Sequence, residues 1–250
     1  MAQTKLNWYY VYSQRYEALH NMVKASITDP RFNVVPLFVD QSEFNKTTYA
    51  PGNTHFLSGC NIKQEVILEI LKKAPTNSYF IFSDVDIAII KQDTLFDYFQ
   101  SHIESGVDLS YMWEHSDSVG SNGYTNYNIG ISLIRANEKT IDFYTKVIEK
   151  GLTHPTMLDQ NLVCSLLPEF QGKFEPFHKT VFCLSNFYPE TEPKTNIMIV
   201  QLLCSNSSDY KRNMCEKYMG IKAAGIPIEK YLQEAIQNGR TPEELGVTVG

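Results

Sequence analysis

Between Tyr79 and Ile90, in the run YFIFSDVDIAII, two carboxylates interrupt an apolar stretch. Desolvating a carboxylate is costly unless it is paired or bound to a metal. Asp84 and Asp86 are one residue apart, and in extended backbone residues i and i+2 share a face. Both therefore converge on one point where a strand ends, an arrangement suited to a hard divalent cation. Mg2+ is commonly held by one or two carboxylates plus substrate phosphates, and Mn2+ takes similar oxygen ligands. The plainer alternative is a strand-end turn with solvated aspartates. YFIF on one side and IAII on the other leave little room for solvent, which favours a metal or nucleotide role.

Other residues have chemistry of their own. Lys63 reads as opening a helix, where the dipole disfavours a cation; it is either a surface oddity or the partner of a phosphate. Asn128 precedes Gly130, which permits close approach of backbone to a ligand, although Asn128 also suits a turn. Asp159 reads as an acid in the first turn of a helix capped by Thr156, complementing the dipole, with Gln160 beside it. A second enzyme chemistry also uses a strand followed by D-x-D: phosphatases of the haloacid dehalogenase type. In those the pattern continues to a Thr, a place held here by Ala88.

The elements that position these residues alternate. Strands are expected at 8–13, 33–40, 79–82, 108–113 and 129–135, and further strands within 180–189 and 196–204. Helices are expected at 14–27, 62–74, 95–105 and 138–151, with another starting near Thr156. The criteria are aromatic and β-branched runs for strands and helical spacing of apolar residues for helices. Pro36 argues against a central place for the second strand. Alternation of this kind predicts an α/β fold with a mixed, mostly parallel central sheet flanked by helices. A Gly/Ser/Asn-rich stretch at 114–128 reads as a loop, and its length suits a lid. Residues 1–218 read as one domain and 219–250 as a helical extension, with a Thr241…Glu244 capping box.

Composition bounds the partners. The chain has 250 residues and a net charge of −6, with 43% hydrophobic residues, enough for a sizeable core. An acidic chain is not expected to hold nucleic acid by bulk charge. Five scattered cysteines with no C-x-x-C pair read as free thiols in a reducing compartment and argue against a zinc site. No leader-like or membrane-spanning segment is visible, and the expected location is cytoplasmic.

Three blocks together resemble the GT-A glycosyltransferases of the nucleotide-diphospho-sugar transferase group. FSDVDIAI is similar to that family's metal motif, YNIGISLIRAN (127–137) to its donor-sugar segment, and LDQNLVCSLL (158–167) to its Asp-Gln helix start. The resemblance covers roughly 7–215. It implies transfer of a sugar from a nucleoside diphosphate, most often UDP, to a hydroxyl of a glycan or another acceptor, with Mn2+ or Mg2+. It further implies a metal site at Asp84 and Asp86. Donor contacts would come from Tyr12, Ser13, Arg15, Lys63, Ser83, Asp84, Asn128, Gly130 and Lys211. Asp159 would be the catalytic carboxylate at the junction of sugar and acceptor, as general base or hydroxyl-binding group, with Gln160 bonding the sugar; Trp113 and Tyr124, read from the residues alone, flank the lid where they could stack on a sugar. The family's third metal ligand, a His near the end of the core, has no counterpart in VQLLCSNSSDYKRN (200–213), where Gln201, Cys204, Asn206 and Asp209 are the substitutes available. A non-catalytic nucleotide-sugar-binding module and a phosphatase or nucleotidyltransferase are the competing functions.

Overall fold

The computed structural model describes residues 5–39, 54–114, 125–178, 181–184 and 197–202, with the backbone alone at 15, 54–61 and 183–184. The 219–250 extension, Lys211, Tyr124, Cys204, Asn206 and Asp209 lie outside the described residues.

Eight strands are described: β1 (Leu6–Tyr12), β2 (Phe32–Phe38), β3 (Tyr79–Ser83), β4 (Ile87–Ile89), β5 (Leu109–Trp113), β6 (Tyr127–Arg135), β7 (Phe182–Leu184) and β8 (Ile199–Gln201). The helices are α1 (Glu17–Ser26), α2 (Thr54–Lys73), α3 (Leu95–Glu104), α4 (Glu138–Thr153) and α5 (Asp159–Leu166). The main sheet has the order β2-β1-β3-β6-β5. β1 is parallel to both β2 and β3, whereas β6 is antiparallel to β3 and to β5. The reversal has a local cause. Parallel neighbours need a crossover, usually a helix, and the stretch between β5 and β6 carries no helical apolar pattern. Pro36 lies on β2, an edge of this sheet, where a missing N–H is tolerated.

β3 is buried along its whole length and divides the core by alternation. Tyr79 and Ile81 join Trp8, Tyr10, Leu19, Val23 and Phe99 on one face. Phe80 and Phe82 join Ile67, Leu71, Phe143, Tyr144 and Val147 on the other. Asp84 continues the second series and therefore points toward α2. The IAII run is a strand of its own, pairing with β8 in a small second sheet of order β4-β8-β7. The D-x-D thus sits in the joint between two sheets.

Three sequence readings need correction. α2 starts at Thr54, eight residues before the expected start, because Gly59 and Asn61 weaken the local pattern without breaking the helix. Lys63 consequently lies in mid-helix and opens nothing. The cap of α5 is Leu158, with no side-chain cap bond, and Thr156 does not serve.

Candidate active site

The ends of β1, β3, β5 and β8 meet the middle of α2 and the start of α5. Ligands in open α/β sheets bind beyond the carboxyl ends of strands, and here that edge carries a connected polar cluster. At its centre is Lys63, whose ammonium is 3.0 Å from Asp84 Oδ1 and 3.3 Å from Asp159 Oδ2. The Lys63 and Asp159 side chains keep only 10% and 11% of their surface exposed. Gln201, on β8, donates through Nε2 to Asp84 Oδ2 at 2.9 Å. Both oxygens of Asp84 are therefore held, one by α2 and one by β8. Asp84 N donates to Gly130 O at 2.7 Å, which ties the strand end to β6. Asp86 is buried, and its backbone oxygen accepts from Leu202 N at 2.8 Å.

A second arm runs through α5. Gln64 Nε2 donates to Asp159 Oδ2 at 3.4 Å, and Asp159 Oδ1 accepts from Gln160 N at 2.9 Å. Gln160 Nε2 donates to Glu114 Oε2 at 2.7 Å, and its Oε1 accepts from Asn128 Nδ2 at 3.5 Å. Asn128 Oδ1 in turn accepts from Gly130 N at 2.8 Å. Four carboxylates, Asp84, Asp86, Glu114 and Asp159, and one ammonium, Lys63, thus make up the charges of the cluster among the described residues. Burial, together with the neighbouring Asp86 and Asp159 carboxylates, pushes the pKa of Asp84 up to about 6, against the opposing pull of Lys63. Beneath the cluster the Tyr111 and Tyr144 hydroxyls bond each other at 2.7 Å, and burial raises both well above the ordinary tyrosine value. Cys164 is pushed up to about 12 by burial and stays a thiol, so it is no nucleophile here.

The structure thus brings together Lys63, Asp84, Asp86, Asn128, Gly130, Asp159 and Gln160. Ser83 faces the other side of β3, fully buried, and its hydroxyl accepts from the Trp8 indole at 2.8 Å. Tyr12 and Ser13 lie on the same carboxyl edge, since Tyr10 is opposite Ser83 in the β1–β3 register. Tyr12 stacks on His20 at 3.9 Å between centroids, with Phe38 edge-on at 5.5 Å. Arg15 follows in a short 3-10 turn, Gln14–Tyr16. Trp113 packs against Tyr127, 5.1 Å between ring centroids. Among the described residues, no group of three or more His, Cys, Asp or Glu side chains is placed to hold a metal ion by itself. Sequence reading missed Gln64 and Glu114. The available signals were a glutamine on the buried face of an amphipathic helix and an acid at the tip of an apolar strand.

Gly130 has a packing reason to be glycine. A Cβ there would lie 1.8 Å from Gln201 Oε1, 1.9 Å from Nε2 and 2.1 Å from Cδ. The space is filled by the Gln201 carboxamide. Because the colliding atoms are the far end of a flexible side chain, Gly130→Ala is expected to displace Gln201 from Asp84 at a cost within the overpacking range of about 1–3 kcal/mol. Adding Gln201→Ala to it should return part of that loss. A denaturant double-mutant cycle checks this: coupling of about 0.5–3 kcal/mol is expected, and strict additivity would place the two residues apart.

Residues 18–214 match the family model described as nucleotide-diphospho-sugar transferase. No curated protein sequence matches the chain. Among solved structures it is similar to a glycosyltransferase involved in the glycosylation of the major capsid of PBCV-1. That pair is 13% identical with a TM-score of 0.60, covering 85% of this chain and 99% of the other. It is also similar to the galactosyltransferase LgtC in complex with donor and acceptor sugar analogs, at 13% identity and a TM-score of 0.55, covering 88% and 96%. Mouse xyloside xylosyltransferase 1 is 11% identical with a TM-score of 0.50, covering 81% and 99%. At such identities the likeness speaks to fold, and it is the GT-A fold that the elements describe.

Proposed function

Because the chain belongs to the nucleotide-diphospho-sugar transferase family and is a glycosyltransferase, we propose that it moves a sugar from a UDP-sugar to an acceptor hydroxyl with the aid of Mn2+ or Mg2+. The observation that carries this reading is the sharing of one ammonium, Lys63, by two carboxylates, Asp84 and Asp159, at the carboxyl edge of β3, with Asp86 beside them. Asp84 and Asp86 offer hard oxygen donors, and the pKa of Asp84 is raised first by burial and then by the Asp86 and Asp159 carboxylates, against the pull of Lys63. A hard divalent cation fits that donor set, with Asp84 and Asp86 holding it. Once bound, the cation supplies charge neutralisation for the departing nucleoside diphosphate.

The chain's own residues divide the remaining work. Lys63 keeps Asp84 and Asp159 in place and offsets part of their charge. Asp159 presents a carboxylate fixed by Lys63, Gln64 and its own helix turn, so it is positioned to accept hydrogen bonds from hydroxyls of sugar or acceptor. Gln160 is oriented by Glu114 and Asn128, which settles which way its carboxamide faces. Tyr12, Ser13 and Arg15 border the place beyond β1 for the base and ribose, with the Tyr12–His20 stack as an aromatic surface. Lys211, outside the described residues, is assigned to the diphosphate on the family resemblance alone.

Calorimetric titration with UDP tests the proposal. UDP is expected to bind more tightly with Mn2+ than with EDTA, because no cluster of basic residues is present among the described residues to hold a diphosphate unaided. Equal affinity in both buffers would remove the cation from the reading. UDP release from UDP-sugars, with and without candidate acceptors, then separates a transferase from a binding module, which releases none, and from a phosphatase, which hydrolyses simple esters.

A further inference from the structure

Resting on the transferase reading, we infer that the acceptor is a neutral carbohydrate whose sugar ring seats on Trp113 and Tyr127, with Glu114 taking its hydroxyls. The starting point is a slip in the sheet. β5 and β6 keep one register as far as Tyr111, which lies opposite Ser132, whereas the next residue, Met112, lies opposite Asn128. Irregularities of this kind bend a strand and re-aim its side chains, and they are common beside active sites. Past the slip, Trp113 stands opposite Tyr127, with ring centroids 5.1 Å apart. Tyr127 leans in turn on Phe174 at 4.9 Å, and Phe174 on Tyr111 at 6.1 Å. The row therefore starts at the fully buried Tyr111 and ends at the half-buried Tyr127 and Trp113. Along both strands the next residue reaches Gln160. Glu114 follows Trp113 and accepts from Gln160 Nε2 at 2.7 Å; Asn128 follows Tyr127 and donates to Gln160 Oε1 at 3.5 Å. One turn further along α5, Cys164 Sγ accepts from Tyr127 N at 3.2 Å. The aromatic pair is thus tied to the start of α5, beside the groups assigned to the junction of sugar and acceptor. Gln160 takes one oxygen of Glu114, and the other has no hydrogen-bond partner among the described residues.

This combination selects a class of ligand. A pyranose ring has faces of C–H bonds, and the negative face of an aromatic ring attracts their partial positive charge. Its hydroxyls lie around the rim, where a carboxylate oxygen accepts from them. Sites for small ligands are built in this way, mostly apolar with a few placed polar groups that fix orientation. The carboxylates of Glu114 and Asp159 repel an anionic acceptor, so the sugar is neutral. A Ser or Thr of a polypeptide, or a lipid alcohol, offers two adjacent rings no flat C–H face.

The chain has two tryptophans. Trp8 is fully buried, so Trp113 is the one whose emission an added sugar can reach. The probes are methyl glycosides of glucose, galactose, mannose and N-acetylglucosamine, titrated into protein holding UDP and Mn2+. At least one is expected to give a saturable change in emission that Trp113→Phe does not show. With that glycoside as acceptor and UDP-glucose or UDP-galactose as donor, Trp113→Ala should raise the acceptor KM about tenfold or more, while UDP binds as before. No emission change with any glycoside, or the same change in Trp113→Phe, would overturn the inference. So would a Ser/Thr peptide that raises UDP release where glycosides do not. The wild-type titration needs no variant, so the test survives an alanine variant that fails to fold. If no UDP-sugar yields UDP while a glycoside still shifts the Trp113 emission, the transferase reading falls and the carbohydrate site stands. If UDP is released and no glycoside binds, the transferase reading stands and the carbohydrate site falls.

Discussion

Asp86→Ala is expected to reduce sugar transfer by on the order of 10²–10³-fold or more while leaving the cation-free protein at least as stable as wild type. The two halves of that expectation have one cause. Asp86 is buried in a cluster of like charges and is one of the groups that push the pKa of Asp84 up. Without a cation those charges repel, so deleting one carboxylate relieves repulsion, a common outcome of substitutions at functional sites. Its backbone tie to Leu202 N does not depend on the side chain. In the proposed function, where Asp86 helps hold the cation, the same deletion takes away one of its oxygen ligands once cation and donor are bound. Melting curves in EDTA and initial rates with UDP-sugar measure both. A melting temperature several degrees lower, with activity falling only in step with the folded fraction, would make Asp86 a structural residue.

The parts of the site that were legible from sequence share a property: their local context is improbable without a function. Two aspartates inside an apolar run stand out because burial of charge is expensive, and the structure puts them at the joint of two sheets. Asp159 and Gln160 begin a helix as expected. Asn128 and Gly130 lie on β6, which starts at Tyr127 rather than 129. What stayed hidden depends on distance along the chain. Glu114 and Gln160 are 46 residues apart, and Asp84 and Gln201 are 117 apart. Only the tertiary arrangement, α5 set against the β5–β6 end and β8 paired with β4, brings those pairs together, and no local pattern encodes it. Lys63 was visible as an oddity but for the wrong reason. With α2 starting at Thr54, it is no cation at a helix N-terminus; it is a buried cation between two carboxylates. Gly130 also makes space for the Gln201 carboxamide, a neighbour that no local pattern announces.

Replacing that buried lysine should give the largest stability effect. Lys63→Met keeps most of the aliphatic stem and deletes the ammonium that lies 3.0 Å from Asp84 and 3.3 Å from Asp159. Removing one partner of a buried pair typically costs about 3–5 kcal/mol, because the other charge is left uncompensated. For a chain of this size that corresponds to roughly 10 °C in melting temperature. The pH dependence identifies the cause. Asp84 has a folded-state pKa of about 6, raised from an ordinary value of 3.8, and Lys63 is what holds it down. A raised pKa means the folded state binds the proton more tightly than the unfolded chain. The stability from that proton is therefore fully present below the ordinary value and is lost as pH rises through the folded-state value. In wild type the loss falls between 3.8 and about 6. Without Lys63 the upper limit moves higher, so the variant goes on losing stability after wild type has levelled off. Its deficit should be small in acid and should widen as pH climbs past 6. Urea denaturation of both proteins in EDTA across that range tests this. A deficit equal at all pH values would mean that the lysine acts through packing of its stem, and that Asp84 and Asp159 do not depend on its charge. Adding Mn2+ with UDP at high pH should then recover part of the lost stability, because a bound cation relieves the same carboxylate repulsion that Lys63 offsets in wild type.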